Sequence, residues 1–346
     1  MIGMYITMAN KILIIGFGYV GQYLGALFLQ KNIFFDVLDT NEKVKKNFIF
    51  FLKQQKQSIK KTNKLTFINY SQENHKYEYI ILCLPTPRKK NKPDITSILD
   101  VRNKIDKFLS EKTCIILEST VYPGTTRNLL VNHFNSIKFI GYSSERVNPG
   151  DSIKLFSNTT KVISGKNKFS VNTIKKLYKK IFKKIYISNS MEVAESSKLL
   201  ENTFRSINIS LVNELKMILD DCNINIWEVI NSAKTKEFGF MPFYPSIGFG
   251  GHCIPVDPLY LNWFFKKTTS KESMFIKYSH KLNDNLLKTI ILKIKGKIKN
   301  FKNKNILLCG IAYKLNSDDL RESRSLVLAK KLFNLDANIY FYDQSI

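Results

Sequence analysis

Over the first 150 residues, short apolar runs alternate with longer segments of mixed character. Residues 11–15, 34–39, 79–84, 113–117 and 137–142 are mostly apolar and are flanked by Gly, Pro or polar positions. Runs that short, bounded that way, predict buried strands rather than helices. The segments between them are long enough for crossover helices, so the pattern predicts an open, doubly wound, parallel α/β sheet. Residues 161–164 and 184–187 are candidates for further strands. From Met191 to about Cys222 the period changes. Val193, Leu200, Phe204, Ile207, Leu211, Leu215 and Ile218 recur at helical spacing with no Gly or Pro between them, which predicts one long amphipathic helix. Further helices are predicted over 226–233, 259–265 and 275–298. Residues 238–258, dense in Gly and Pro, predict a structured loop. The α/β pattern then restarts, with a strand at 305–309, a helix at 326–335 and a strand at 338–342.

Composition narrows the class. With 346 residues, 44% of them hydrophobic, the chain has too much apolar surface for disorder to be its main state. No apolar run approaches the roughly 18 residues needed to cross a bilayer. The N-terminus shows no apolar core followed by a small-residue cleavage pattern. A cytoplasmic location and no membrane partner are therefore expected. Five cysteines, at 83, 114, 222, 253 and 309, form no C-x-x-C pair and fit a reduced compartment without disulfides. A net charge of +26 first suggests a polyanion partner. Only seven of the 54 basic residues are Arg, however, and the Lys are scattered along the chain. No Arg/aromatic stripe of the kind a nucleic-acid groove uses is present. Abundant Lys, Asn and Ile is the composition an AT-rich genome writes, so the charge reads as solvated surface and no nucleic-acid partner is expected.

The first strand runs into Gly16-Phe17-Gly18-Tyr19-Val20-Gly21, a G-x-G-x-x-G turn between strand and helix. Gly16 permits the tight turn, Gly18 lets backbone approach a pyrophosphate, and Gly21 lets helix and strand pack closely. Asp39 ends the second strand about 20 residues later. A carboxylate there accepts from both ribose hydroxyls and repels a 2′-phosphate, so NAD is expected over NADP. Farther on, Cys253 sits in Gly248-Phe249-Gly250-Gly251-His252-Cys253-Ile254-Pro255-Val256-Asp257-Pro258. A thiol beside small residues, with a carboxylate four positions on, has the makings of a nucleophile; a cysteine by itself is more often a small buried hydrophobe. His252 is not paired with it, because adjacent side chains point apart. Lys198 and Asn202 lie at i, i+4 on the long helix, where an ammonium and an amide would stabilise an oxyanion. Glu118-Ser119-Thr120 and Glu145-Arg146 follow predicted strands, at the carboxyl edge where such sheets bind ligands. No metal-ligand spacing is present.

Taken together, the stretches 16–21, 83–87, 118–126, 144–151, 195–202, 242–261 and 310–323 resemble, in order, the UDP-sugar 6-dehydrogenase family. Within it, Tyr244-Pro245 and the Gly-Gly-His-Cys-Ile-Pro-Val-Asp-Pro run look like the N-acetylhexosamine branch. The resemblance implies NAD-dependent oxidation of a UDP-sugar C6 hydroxyl to a carboxylate, for surface-polysaccharide synthesis. UDP-N-acetylglucosamine is the leading substrate, with the mannosamine epimer and UDP-glucose as alternatives. It implies Cys253 as nucleophile, Lys198 and Asn202 as oxyanion stabilisers, Glu145 as general acid/base, and Thr120 and Asp257 as positioners of water. Gly16, Gly18, Tyr19, Val20, Gly21, Asp39, Pro85, Thr86, Thr120 and Arg321 would line NAD. Glu145, Arg146, Val147, Asn148, Lys198, Asn202, Tyr244, Ser246, Gly248, Phe249, Gly250 and Lys314 would bind the UDP-sugar, and Lys236 is a candidate for reaching across a dimer. The expected domains are an NAD-binding Rossmann-like domain at 1–190, a helical dimerisation domain with the cysteine loop at 191–303, and the start of a UDP-binding α/β domain at 304–346. Members of the family are longer, so an incomplete third domain, and with it a non-catalytic NAD-binding relic, is a second expectation. A 3-hydroxyacid dehydrogenase would share the Rossmann domain, long helix and Lys but not the loop nucleophile.

Overall fold

The computed structural model describes residues 12–57, 65–70, 75–90, 92–144, 146, 151–251, 253–312, 320 and 323–344. The chain divides into two compact units, residues 1–198 and 199–346.

The first unit is built on an eight-stranded sheet. Its strands are β1 (Ile12–Ile15), β2 (Phe35–Leu38), β3 (Leu65–Ile68), β4 (Tyr79–Leu82), β7 (Cys114–Leu117), β8 (Phe139–Ser143), β9 (Lys161–Gly165) and β10 (Ile185–Ile187). A short hairpin of β5 (Arg88–Lys89) and β6 (Lys92–Pro93) stands apart. The order across the sheet is β10-β9-β8-β7-β4-β1-β2-β3. The run from β3 to β8 is the doubly wound order, and it reverses direction between β1 and β4. Every residue of β1, β2, β4 and β7 is buried, as expected of strands covered on both faces. The pleat sorts them. Ile12 and Ile14 join α1 (Tyr19–Gln30) and α2 (Val44–Gln54) in one core, with Leu24, Phe28 and Phe48. Leu13 and Ile15 join the other core, with Ile98 of α3 (Thr96–Arg102), Phe108 and Leu130.

Two features depart from expectation. The strand β9 pairs antiparallel with β8, so the sheet is mixed at that edge rather than wholly parallel. The reason is topological: a short connection through α4 (Ile153–Asn158) is not a full crossover, and a parallel return needs one. The edge strand β3 had no sequence forecast; only intermediate or exposed residues line it, so its apolar signal is weak. The helix α5 (Lys168–Tyr178) packs on β8 and β9.

The long helix is α6 (Met191–Asp221). Its predicted apolar stripe faces outward: Val193, Leu200, Phe204, Leu211, Leu215 and Ile218 are all exposed, Leu200 by 62%. The side it buries carries Ala194, Glu195, Lys198, Leu199, Thr203, Ser206 and Asn213. In the second unit α7 (Ile226–Ala233), α8 (Asp257–Thr269) and α9 (Met274–Lys297) follow. Asp257 and Pro258 open α8 rather than close the preceding loop, since Pro is tolerated in a first turn. Ser273 caps α9 by accepting from the Ile276 amide. Strands β11 (Asn305–Cys309) and β12 (Asn338–Tyr342) pair in parallel, with α10 (Arg324–Phe333) between them in sequence. Leu287, Phe301, Leu328 and Leu332 form their common core. Among the described residues, no helix is long and apolar enough to cross a membrane.

Candidate active site

In the first unit the G-x-G-x-x-G turn lies at the point where the sheet order reverses. Gly16 has φ +84°, and a Cβ there would stand 2.5 Å from the Cys83 carbonyl oxygen; no side chain fits. A Cβ on Gly21 would stand 2.5 Å from the Gly16 oxygen, so α1 packs directly on the turn. Gly18 has nothing within 4 Å of its Cβ position, leaving its backbone open. Asp39 holds the turn from the end of β2: its Oδ2 accepts from the Phe17 amide at 2.6 Å and its Oδ1 from the Asn41 amide at 2.7 Å. Tight glycines, an open second glycine at a helix N-terminus and a carboxylate at the next strand end together fit a dinucleotide.

The ends of β4 and β7 are tied to each other. The Leu84 amide donates to Ser119 Oγ at 2.8 Å, and Thr86 Oγ1 donates to the Thr120 carbonyl at 2.7 Å. Pro85, Thr86 and Thr120, separate in sequence, thus meet at one edge. Beneath them lies a charge pair that sequence reasoning did not foresee. Lys161 Nζ is 2.5 Å from Glu118 Oε2 and donates to the Ser144 carbonyl at 3.2 Å. Both side chains are sealed from solvent, Glu118 at 0% exposure and Lys161 at 2%. Tyr178 donates to the other Glu118 oxygen. Burial outweighs the attraction of Lys161 and pushes the Glu118 carboxyl above its usual range. Arg146 Nη1 donates to the Thr160 carbonyl at 3.0 Å. Lys198 is buried. Glu145, Val147, Asn148, His252, Lys314 and Arg321 lie outside the described residues.

In the second unit the Cys253 backbone is linked to Asp257, and Asp257 to Asn202. The Cys253 carbonyl accepts from the Val256 amide at 3.1 Å and the Asp257 amide at 2.9 Å, closing the turn that leads into α8. Asp257, itself buried, accepts on Oδ2 from Asn202 Nδ2 at 2.5 Å. The Asn202 amide is therefore engaged by Asp257, a pairing across 55 residues that the i, i+4 spacing of Lys198 and Asn202 did not suggest. The segment ahead of the cysteine is anchored from α6 and α9. Asn213 Oδ1 accepts from the Ser246 amide at 2.8 Å, and Asn283 Oδ1 from the Phe249 amide at 2.9 Å. Gly248 has φ +109°, and a Cβ there would clash with Asn283 Oδ1. Tyr244 stacks on Trp227, ring centres 5.8 Å apart. A cavity of about 250 Å³ lies beside Ser246, between Asn213, Trp227, Leu286 and Lys293. Asn283 and Asn213 carry no local sequence signal of this role. Among the described residues, no group of three or more His, Cys, Asp or Glu is placed to hold a metal ion.

Residues 10–182 match the model of the UDP-glucose/GDP-mannose dehydrogenase family NAD binding domain, and residues 192–285 match that family's central domain. The chain is 31% identical to the protein CapL of Staphylococcus aureus, across 97% of this chain and 82% of that one. It is 32% identical to the UDP-N-acetyl-D-glucosamine 6-dehydrogenase of Pseudomonas aeruginosa, across 95% of this chain and 82% of the relative. Its fold superposes on the native structure of the UDP-N-acetyl-mannosamine dehydrogenase Cap5O from Staphylococcus aureus with a TM-score of 0.79, at 26% identity, covering 97% of this chain and 82% of the other.

Proposed function

The chain belongs to the UDP-glucose/GDP-mannose dehydrogenase family, with an NAD-binding N-terminal domain and a helical central domain, and we propose that it oxidises the C6 hydroxyl of a UDP-N-acetylhexosamine to the uronic acid. UDP-N-acetylglucosamine is the favoured substrate, and the product feeds surface-polysaccharide synthesis in the cytoplasm. The observation that carries this reading is the Cys253–Asp257–Asn202 constellation. The Cys253 backbone closes the turn into α8, where anionic intermediates are favoured, and the Asp257 carboxylate in the first turn of that helix accepts from the Asn202 amide of α6.

When bound, NAD⁺ would supply the hydride acceptor for the two oxidations at C6. In the first, the hydroxyl proton leaves to a base and C6 becomes an aldehyde. The Cys253 thiolate adds to that carbon, and the oxygen takes a proton to give a thiohemiacetal. Loss of that proton and of the second hydride leaves a thioester. Water attacks it, the C–S bond breaks, and the acid leaves with the thiolate restored. A thioester is the useful intermediate because it hydrolyses far more readily than an amide. Lys198 and Asn202 stabilise the oxyanions, Glu145 moves the proton of the attacking water, and Thr120 and Asp257 orient that water. Gly16, Gly18, Tyr19, Val20, Gly21, Asp39, Pro85, Thr86, Thr120 and Arg321 hold NAD. Arg146, Val147, Asn148, Tyr244, Ser246, Gly248, Phe249, Gly250 and Lys314 hold the nucleotide sugar. Residues 1–190, 191–303 and 304–346 serve as the NAD-binding, central and UDP-binding parts. The exposed apolar stripe of α6 supports a homodimer in which that stripe is covered by a second copy of the chain; isolated apolar side chains are common on surfaces, whereas a stripe along one helix face suits an interface.

Purified protein with NAD⁺ and, separately, UDP-N-acetylglucosamine, UDP-N-acetylmannosamine and UDP-glucose tests the reading. Two NADH per sugar, with the highest kcat/KM for UDP-N-acetylglucosamine, is the expected result. A higher value for the mannosamine epimer reassigns the substrate, and no NADH from any of the three refutes the activity. A Cys253→Ser protein that still makes acid at the wild-type rate refutes the thioester route.

A further inference from the structure

One buried carboxylate in the first unit has no place in the chemistry above. Glu195, in the second turn of α6, is fully buried. Its Oε2 accepts from the Gly124 amide at 2.6 Å. Its Oε1 accepts from the Thr126 amide at 2.8 Å and from Thr126 Oγ1 at 2.7 Å. All three donors lie on the segment that leaves β7 through Thr120. Gly124 reaches the carboxylate with φ +87°, a left-handed backbone that favours glycine. Two further contacts fasten the same stretch of helix. Ser144 Oγ, at the end of β8, donates to the Ala194 carbonyl at 3.2 Å, and Arg127 Nε donates to Glu192 at 2.6 Å. Lys198 stands three residues beyond Glu195, one helical turn away and on the same buried side.

The chemistry of this contact is more demanding than packing requires. A buried neutral side chain would close the same gap with less desolvation, and a buried carboxylate is expensive unless its donors are fixed. A carboxylate that accepts three hydrogen bonds sets both position and orientation, because charge-assisted bonds are short and directional. What it sets here is the distance from the Thr120 strand end to the helical turn that presents Lys198. We propose that Glu195 is a positioning residue for the oxidation, fixing Lys198 relative to Thr120 by clamping the Gly124–Thr126 backbone to α6. The proposal rests on the roles assigned above to Lys198 and Thr120. The clamp itself does not.

Two variants and two readouts test it. Glu195→Gln keeps the shape and one acceptor but places an NH₂ against a backbone amide. Thr126→Val removes a single donor and keeps the fold's local volume. In steady state, Glu195→Gln is expected to lower kcat at least tenfold, with KM for NAD⁺ and for the UDP-sugar within threefold of wild type. Its melting midpoint at pH 8 is expected to be no lower than wild type's. Thr126→Val is expected to lower kcat about threefold in the same pattern. Amide hydrogen exchange gives the second readout: peptides covering 122–128 and 191–198 are expected to exchange at least tenfold faster in Glu195→Gln, with the rest of residues 12–182 unchanged. A kcat within twofold of wild type overturns the positioning role, and so does a fall in kcat that only tracks a fall in melting midpoint. Unchanged exchange overturns the clamp. A wild-type protein that makes no NADH from any UDP-sugar refutes the functional reading and the positioning role with it, while the exchange measurement still decides whether the clamp exists.

Discussion

Replacing Lys161 by Met separates the two energies that meet in the buried Glu118–Lys161 pair. At the 2.5 Å separation and an effective dielectric of about 20, the mutual attraction is about 7 kcal/mol. Removing two ions from water costs several kcal/mol each, so the intact pair contributes little net stability. The half-pair is a different matter. Lys161→Met leaves a carboxylate at 0% exposure with Tyr178 still donating to it, and the expected loss is about 3–5 kcal/mol. That is a large share of the 5–15 kcal/mol that holds a domain folded. The Lys161→Met/Glu118→Gln double variant removes the stranded charge and is expected to recover all but about 1–2 kcal/mol. Urea titration followed by far-UV ellipticity measures both. Trp227 and Trp263, the only two tryptophans of the chain, lie in the second unit, so their fluorescence transition serves as a control expected to stay in place. The pH dependence has a definite sign. The Glu118 carboxyl is already pushed up in the intact pair and rises further without Lys161. The folded variant therefore takes up a proton as pH falls, and its deficit is expected to be smaller at pH 5 than at pH 8. A single variant within about 1 kcal/mol of wild type at pH 8 would refute the reasoning, as would a double variant whose loss equals the sum of the singles.

Glu195 is expected to make the wild-type fold less stable as pH rises. Burial pushes its carboxyl from 4.5 up to about 7, against the pull of the Thr126 and Gly124 hydrogen bonds and with Glu192 adding repulsion. Tyr122 and Arg127 both feel its charge, and Lys198 lies one helical turn away on the same buried side. The raised value means stability is fully present below about 4.5 and lost as pH climbs through about 7, by about 3 kcal/mol. Glu195→Gln should flatten that part of the melting-temperature profile between pH 5 and 8; an unchanged slope would assign it to another group. Gly16→Ala, which drives a Cβ into the Cys83 carbonyl at φ +84°, is expected to cost about 1–3 kcal/mol and to weaken NAD⁺ binding at least tenfold by calorimetry, whereas wild-type affinity would contradict the assigned cradle. Gly248→Ala, whose added Cβ would clash with Asn283 Oδ1, is expected to raise KM for the UDP-sugar at least tenfold while leaving the NAD⁺ dissociation constant unchanged. An NAD⁺ effect of equal size would show a general loss of structure instead.

Local periodicity was enough to place most elements. The helix Ile226–Ala233 and the strands Asn305–Cys309 and Asn338–Tyr342 fall where the apolar pattern put them, because burial of one face imposes a period of 3.6 or 2 on the sequence itself. The glycine-rich turn was equally legible: Gly16 takes a positive φ and Gly21 packs on Gly16 itself, five residues away, although the Cys83 carbonyl that also crowds Gly16 comes from far along the chain. Ladder direction at β9 was not, because a strand's own sequence does not say which way its neighbour runs. The side on which α6 lies was also hidden: its strongest apolar stripe is the exposed one, and the face it buries mixes Met191, Ala194 and Leu199 with Glu195, Lys198, Thr203, Ser206 and Asn213. Lys161 looks like any other of the chain's many lysines until the fold brings it to Glu118, 43 residues away. Glu195 meets Thr126 across 69 residues, and Asn202 meets Asp257 across 55. Such pairs leave no periodic trace, because hydrogen-bond partners are chosen by distance in space. The sequence determined which elements form and which residue types could do chemistry. Packing of the elements into layers determined which polar groups are removed from water, and only groups so removed are obliged to find a partner.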